Sequence, residues 1–260
     1  MPPELVQLAL AVFSGGIVAL FLTVFGGGGS VLATPLLLYL VGVTDPHVAI
    51  GVSAAGVGLN ALTALAGQAR AGRVRWPVAL LFAGIGAVGA WAGSSIAKAI
   101  DGHVLLLFFA FAMALVAVAM LRPRPRSEAV EPHLTRANTP RVAGAGAGVG
   151  VAAGFFGIGG GFLIVPGLMA ATGMSLALAQ ASSLVSVAAF GATTALNYAV
   201  SGLIDWPIVG AMAVGGAVGT LAGLPIAHRL GANAALGRTL FAGLILIVAV
   251  YVAIKAVAGL

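Results

Sequence analysis

The sequence predicts an all-α integral membrane protein, built as two inverted repeats of about five helical segments each, with a Gly-broken helical hairpin opening each repeat. Three observations carry this. Of 260 residues, 61% are hydrophobic and 7% charged, and mean hydropathy is +1.15, a balance that leaves a soluble domain too little polar surface. The apolar runs reach the roughly 20 residues that cross a bilayer as a helix, and they lack the alternation of barrel strands. Finally, the chain repeats itself: Phe25-Gly26-Gly27-Gly28-Gly29-Ser30 with Pro35 returns as Phe156-Gly157-Ile158-Gly159-Gly160-Gly161 with Pro166, and Trp76-Pro77 returns as Trp206-Pro207.

Five apolar segments fall on each side of a polar stretch. They are residues 5–25, 31–43, 48–69, 76–100 and 104–121, then 142–156, 162–172, 176–200, 206–230 and 236–258. The first repeat is therefore 1–121 and the second 142–260, joined by a linker, 122–141, that holds four prolines and is read as exposed. Trp76 and Trp206 open equivalent segments, where an amphipathic ring anchors at the membrane interface. No basic region precedes the first apolar run, so no cleaved signal peptide is expected.

Charge sets the orientation. Counting every segment as a span puts ten of the 12 basic residues on one side, leaving only Lys98 and Lys255 on the other. By the positive-inside rule the linker faces the cytoplasm and both termini face outward across a cell inner membrane. An odd number of segments per half makes the halves antiparallel. A high pI here reports topology rather than nucleic-acid binding.

Both glycine breaks precede short segments, 31–43 and 162–172, too short to cross about 30 Å of hydrocarbon. The expectation is a pair of opposed helical hairpins whose tips come together near the midplane, where irregular backbone must line protein or a watery cavity. A duplicated half, interrupted at the same place in each copy, is the pattern of a secondary transporter. The candidate substrate-binding residues follow. At the breaks they are Gly26, Gly27, Gly28, Gly29, Gly157, Gly159, Gly160 and Gly161, whose backbone amides at a helix start suit an anion. Behind them stand Ser30, Thr34, Ser53, Asn60, Ser183, Thr193 and Asn197, from a wider hydroxyl and amide cluster that includes Ser186 and Thr194. Such side chains also bond their own helix, so for any single residue the structural role competes with the functional one. The ladders Gly86, Gly89, Gly93 and Gly216, Gly219, Gly223 are assigned to packing inside the protomer, with a homodimer seam as the alternative.

Other classes lose their supports. Ionisable residues stand at segment ends; there is no cysteine, no paired carboxylate for catalysis, no metal-ligand spacing and no P-loop. No enzyme activity, cofactor or nucleic-acid partner is expected. The partners are a small anionic substrate and the lipid bilayer.

The Phe-Gly-x-Gly-Gly-x-x-x-x-x-Pro break in each half, with its following Trp-Pro, resembles the sulfite exporter TauE/SafE family of membrane permeases. The resemblance spans the chain apart from the linker and implies a multi-pass permease for a small sulfur-containing anion such as sulfite or a sulfonate. Gly27 of the first copy is Ile158 in the second, and Ser30 is Gly161, so the two sides of a site between the tips would not be equivalent. A transporter of another solute or ion, or a non-transporting membrane scaffold, remains the alternative.

Overall fold

A computed structural model describes residues 2–121, 134–136, 138–157, 161–231 and 234–257. Within them the chain is helical and without strands. The first half runs α1 (Pro3–Phe25), a 3-10 stretch (Gly26–Leu32), the single turn α2 (Ala33–Leu36), a π stretch (Leu37–Val41), α3 (Pro46–Arg70), α4 (Trp76–Ala97) and α5 (Gly102–Leu121). The second runs α6 (Thr139–Phe156), α7 (Gly161–Thr172), α8 (Leu176–Val200), α9 (Trp206–Gly231) and α10 (Ala234–Val257). Five helical stretches are long and apolar enough to cross a membrane by length and composition. Most of the linker, together with Ile158, Gly159 and Gly160, lies outside the described residues.

Local chemistry sets the helix ends. Proline occupies the first turn of α1, α3, α4 and α6, where its missing N–H has no intrahelical partner to lose. The acids at segment ends are helix caps: Asp45 Oδ1 accepts from the His47 amide at 2.7 Å, Asp101 Oδ1 from His103 at 2.9 Å, and Asp205 Oδ1 from Ile208 at 3.2 Å. The six glycines with positive φ form three pairs at the repeat offset: Gly26 with Gly157, Gly42 with Gly173, and Gly72 with Gly202.

Packing follows the same repeat, with the halves exchanged. α1 lies on α9, and α6 lies on α4, each pair in parallel. Gly219 approaches the Gly16 carbonyl as Gly89 approaches that of Ala147, and Gly223 approaches Leu20 as Gly93 approaches Val151. The small-residue ladders therefore serve backbone contact inside the protomer, where lipid offers no hydrophobic drive and close van der Waals packing holds helices together. α3 and α8 form the centre and run antiparallel: Gly51 meets Tyr198 and Leu203, while Gly58 meets Gly191. α4 flanks α8, α9 flanks α3, and α5 pairs with α10 at the periphery. Trp76 and Trp206 are 43% and 61% exposed at the starts of α4 and α9, as an interfacial anchor requires.

Candidate functional site

Each glycine break is seated on the long central helix of the opposite half. At Gly26, φ is +65° and a Cβ would stand 2.8 Å from the Gln180 Cα, so only glycine lets the first break rest on α8. Gly29 presses on the backbone of Phe21 and Leu22, folding the 3-10 stretch back onto α1. The Gly27 amide donates to Ser183 Oγ at 3.1 Å, Ser183 donates to the Gln180 carbonyl at 2.8 Å, and Ser30 donates to the Gly27 carbonyl at 2.8 Å. Gly26, Gly27, Gly28, Gly29 and Ser30 are all buried. At Gly157, φ is +64° and the turn presses on Ile50 of α3, which stands 130 residues before Gln180. Gly161 opens α7, and Gly159 and Gly160 lie outside the described residues.

The two breaks do not meet. Gln180 sits in the second turn of α8, and Ile50 in the second turn of α3. Because those helices are antiparallel, Ile50 is level with Tyr198, with which it shares a core cluster. The breaks are therefore about 27 Å apart along the bundle at 1.5 Å per residue, which corrects the expectation of tips joined at the midplane. The reason is length. α1 has 23 residues and α6 has 18, so each crosses most of the bundle before its glycines turn it. What comes together is the pair of returning segments, residues 26–32 against α7.

The candidate side chains divide by what they bond. Ser183 and Ser30 are used by the first break. Thr193 bonds its own helix at the Ala189 carbonyl, 2.8 Å away, beside an apolar surface groove with Trp91. Asn197 lies near the end of α8 in a network with the end of α4. Thr34, Ser53 and Asn60 differ: Thr34 Oγ1, Ser53 Oγ and Asn60 Nδ2 are buried without a hydrogen-bond partner. Ser186 Oγ, Thr194 Oγ1 and Ser14 Oγ share that state. The sequence marks Ser186 and Thr194 only as members of the wider hydroxyl cluster. For Ser14 the sequence carries no signal beyond a hydroxyl next to the close-packed pair Gly15-Gly16.

Two of these orphan groups lie deep. α3 and α8 cross at Gly58 and Gly191, and Asn60 and Ser186 each stand two residues from the middle of a 25-residue helix. A buried polar group left unpaired costs about 1–3 kcal/mol, and a set of them calls for a ligand or water to satisfy it. Acidic residues among the described positions stand at helix ends, and no three His, Asp or Glu side chains gather there as metal ligands.

A family model described as Sulfite exporter TauE/SafE matches residues 11–252. The chain belongs to this family. Two relatives from Xylella fastidiosa, strains Temecula1 and 9a5c, each named "Probable membrane transporter protein", are 46% identical over 247 residues, covering 95% of both chains. "Probable membrane transporter protein YdhB" of Bacillus subtilis is 25% identical over 222 residues, 83% of this chain and 87% of that one. No solved structure matches. As a member of the TauE/SafE family, the protein is a multi-pass membrane transporter and not an enzyme. Within the family frame, the breaks fasten each half to the other, and partnerless buried groups run along α3 and α8 from their ends, at His47 and Tyr198, to near their middles, at Asn60 and Ser186.

Proposed function

We propose that the protein carries a small sulfur-containing anion, such as sulfite or a sulfonate, across the cytoplasmic membrane through the interior around α3, α8 and the two returning segments. The observation that carries this is the set of partnerless buried groups, Thr34, Ser53, Asn60, Ser186 and Thr194. Asn60 Nδ2 can only donate, and hydroxyls can do so as well, whereas among the described residues the carboxylates stand at helix ends. A site of neutral donors holds an anion with modest affinity, which suits a carrier that must also release it. The family description supports the sulfur chemistry.

In this reading the halves 1–121 and 142–260 are inverted repeats, with the linker 122–141 cytoplasmic and both termini outside. Antiparallel α3 and α8, and the exchanged contacts of α1 with α9 and α6 with α4, support the inversion. The glycine breaks then act as fixed seats that hold the returning segments against the site.

Flux into proteoliposomes of sulfite, short alkyl sulfonates, sulfate, chloride and a monovalent cation tests the proposal. Saturable flux of a sulfur oxyanion is expected. Flux of the cation alone, or of no solute in the panel, overturns it.

A further inference from the structure

Two partnerless atoms stand on neighbouring rings at the end of the bundle where α3 begins and α8 finishes. His47 Nδ1 and Tyr198 Oη are both buried without a hydrogen-bond partner, and their rings lie with centroids 6.4 Å apart and 31° between planes. Tyr198 is fully buried and packs with Ile50, Ala97 and Leu105 in a small apolar cluster. A buried tyrosine hydroxyl ordinarily finds a partner. Among the described residues, His47 Nδ1 is the one titratable nitrogen that is buried and unpartnered.

Charged and titratable groups surround the pair from each neighbouring element. Asp45 caps α3 through the His47 amide at 2.7 Å, which keeps a carboxylate two residues from the imidazole. Lys98 reaches over Tyr198 from the end of α4, its ammonium 5.8 Å from the ring centroid and bonded to Asn197 and Ser201. Asp101 and His103 open α5, which meets α3 where a Cβ on Gly102 would stand 2.8 Å from Pro46. The Leu203 carbonyl approaches Gly51 from the loop before α9, and Asp205 caps that helix. Glu4 stands in the exposed first turn of α1, and Tyr39 of the π stretch meets Tyr251 of α10 with ring centroids 5.1 Å apart.

An imidazole can meet a phenol in either protonation state. When neutral, Nδ1 accepts from the hydroxyl, directly or across one water; with a proton added, Nδ1 donates and the phenol oxygen accepts. We infer that His47 and Tyr198 form a proton-binding site that makes anion transport depend on the pH at this end of the protein. The inference rests on the transport reading above. A proton from the adjoining water adds to the Nδ1 lone pair and leaves by the same route, so only the N–H bond forms and breaks, and the Asp45 carboxylate offsets the added charge. The site is placed to act on the carrier. Ile50, one turn further along α3, is the seat of the Gly157 break, and Gly51 beside it abuts Tyr198. At the repeat offset of 130, Ala177 and Gln68 replace His47 and Tyr198, so the seat at Gln180 carries no equivalent pair and the proton acts at one end only.

Isotope-labelled histidine lets the four imidazoles be followed by NMR in detergent, and His47→Gln identifies its signal. That signal is expected to move with pH between about 5 and 8. Its course should change in Tyr198→Phe, which keeps the ring and removes the hydroxyl, while the His103 signal ignores that change. In proteoliposomes, ethanesulfonate stays ionised throughout, so pH acts on the protein alone. Its flux should change at least about fivefold across this range in the wild type and in His103→Gln, and less than about twofold in His47→Gln with an unchanged elution profile in detergent. A His47 signal that stays fixed, or one indifferent to Tyr198→Phe, overturns the proton site. So does a wild-type flux indifferent to pH, or wild-type pH dependence kept by His47→Gln. If the wild-type protein carries no sulfur anion, the transport reading falls by itself, and the histidine signals still decide whether the proton site exists.

Discussion

Lys98 and Asn197 tie the ends of α4 and α8 to each other. The ammonium donates to Asn197 Oδ1 at 2.6 Å, to its main-chain oxygen at 3.0 Å, and to Ser201 Oγ at 2.7 Å. In return, the Asn197 amide donates to Ser94 Oγ, Ser95 Oγ and the Trp91 carbonyl. A cation on the last carbonyls of a helix also meets the negative end of its dipole. In the equivalent contact of α3 with α9, Gly67 stands where Asn197 would, 3.5 Å from a Leu224 methyl as measured from an added Cβ.

Asn197 is therefore expected to act as part of the frame. Asn197→Ala and Lys98→Met are expected to lower the unfolding temperature in detergent, with about 1.5–3 kcal/mol lost for a charge-assisted hydrogen bond. Sulfonate affinity should stay within about twofold. A tenfold weaker affinity at the wild-type unfolding temperature would return Asn197 to the binding site.

Ser53 and Ser183 occupy equivalent places and should part company on mutation. Ser183→Ala strands the buried Gly27 amide, so it is expected to cost about 1–3 kcal/mol of stability. Ser53→Ala removes a group that already lacks a partner, so stability should hold or rise while anion binding weakens. Thermal unfolding and calorimetric binding on the two purified variants read both effects. The opposite pattern, stability lost with Ser53 and binding lost with Ser183, would reverse the assignment.

Gly26 and Gly42 separate backbone strain from packing. Both have positive φ, +65° and +81°, but a Cβ at Gly26 meets Gln180 and one at Gly42 meets nothing within 4 Å. Gly42→Ala is expected to cost about 1 kcal/mol from conformation alone. Gly26→Ala adds displacement of the break from α8, so the yield of folded protein and transport should both fall further. Equal losses in the two variants would mean that seating on Gln180 is not what holds the break.

Orientation is checked with single cysteines in the cysteine-free chain. Thr135→Cys in the linker and Ala99→Cys at the end of α4 stand on opposite sides in the proposed topology. In intact cells a membrane-impermeant thiol reagent should modify Ala99→Cys only. Modification of Thr135→Cys from outside would overturn the cytoplasmic linker.

The sequence by itself determined the elements. Apolar run length is set by bilayer thickness, and the all-helical membrane class and the pairing of Gly26 with Gly157 could be read from composition and repetition, whereas the expected segment 31–43 is divided among a 3-10 stretch, a single α turn and a π stretch. So could the interest of Ser53 and Asn60, since hydroxyls and amides are rare and costly at that depth. Tertiary structure alone decided where the breaks sit and which polar groups are spent. A one-dimensional pattern marks that the chain turns at Gly26 and Gly157, but how far α1 and α6 travel first, and on which helix each turn lands, depends on packing against the other half. Hydrogen-bond partnership is decided in the same way. Ser183 and Ser53 are indistinguishable along the chain, yet one bonds the Gly27 amide some 156 residues away and the other bonds nothing.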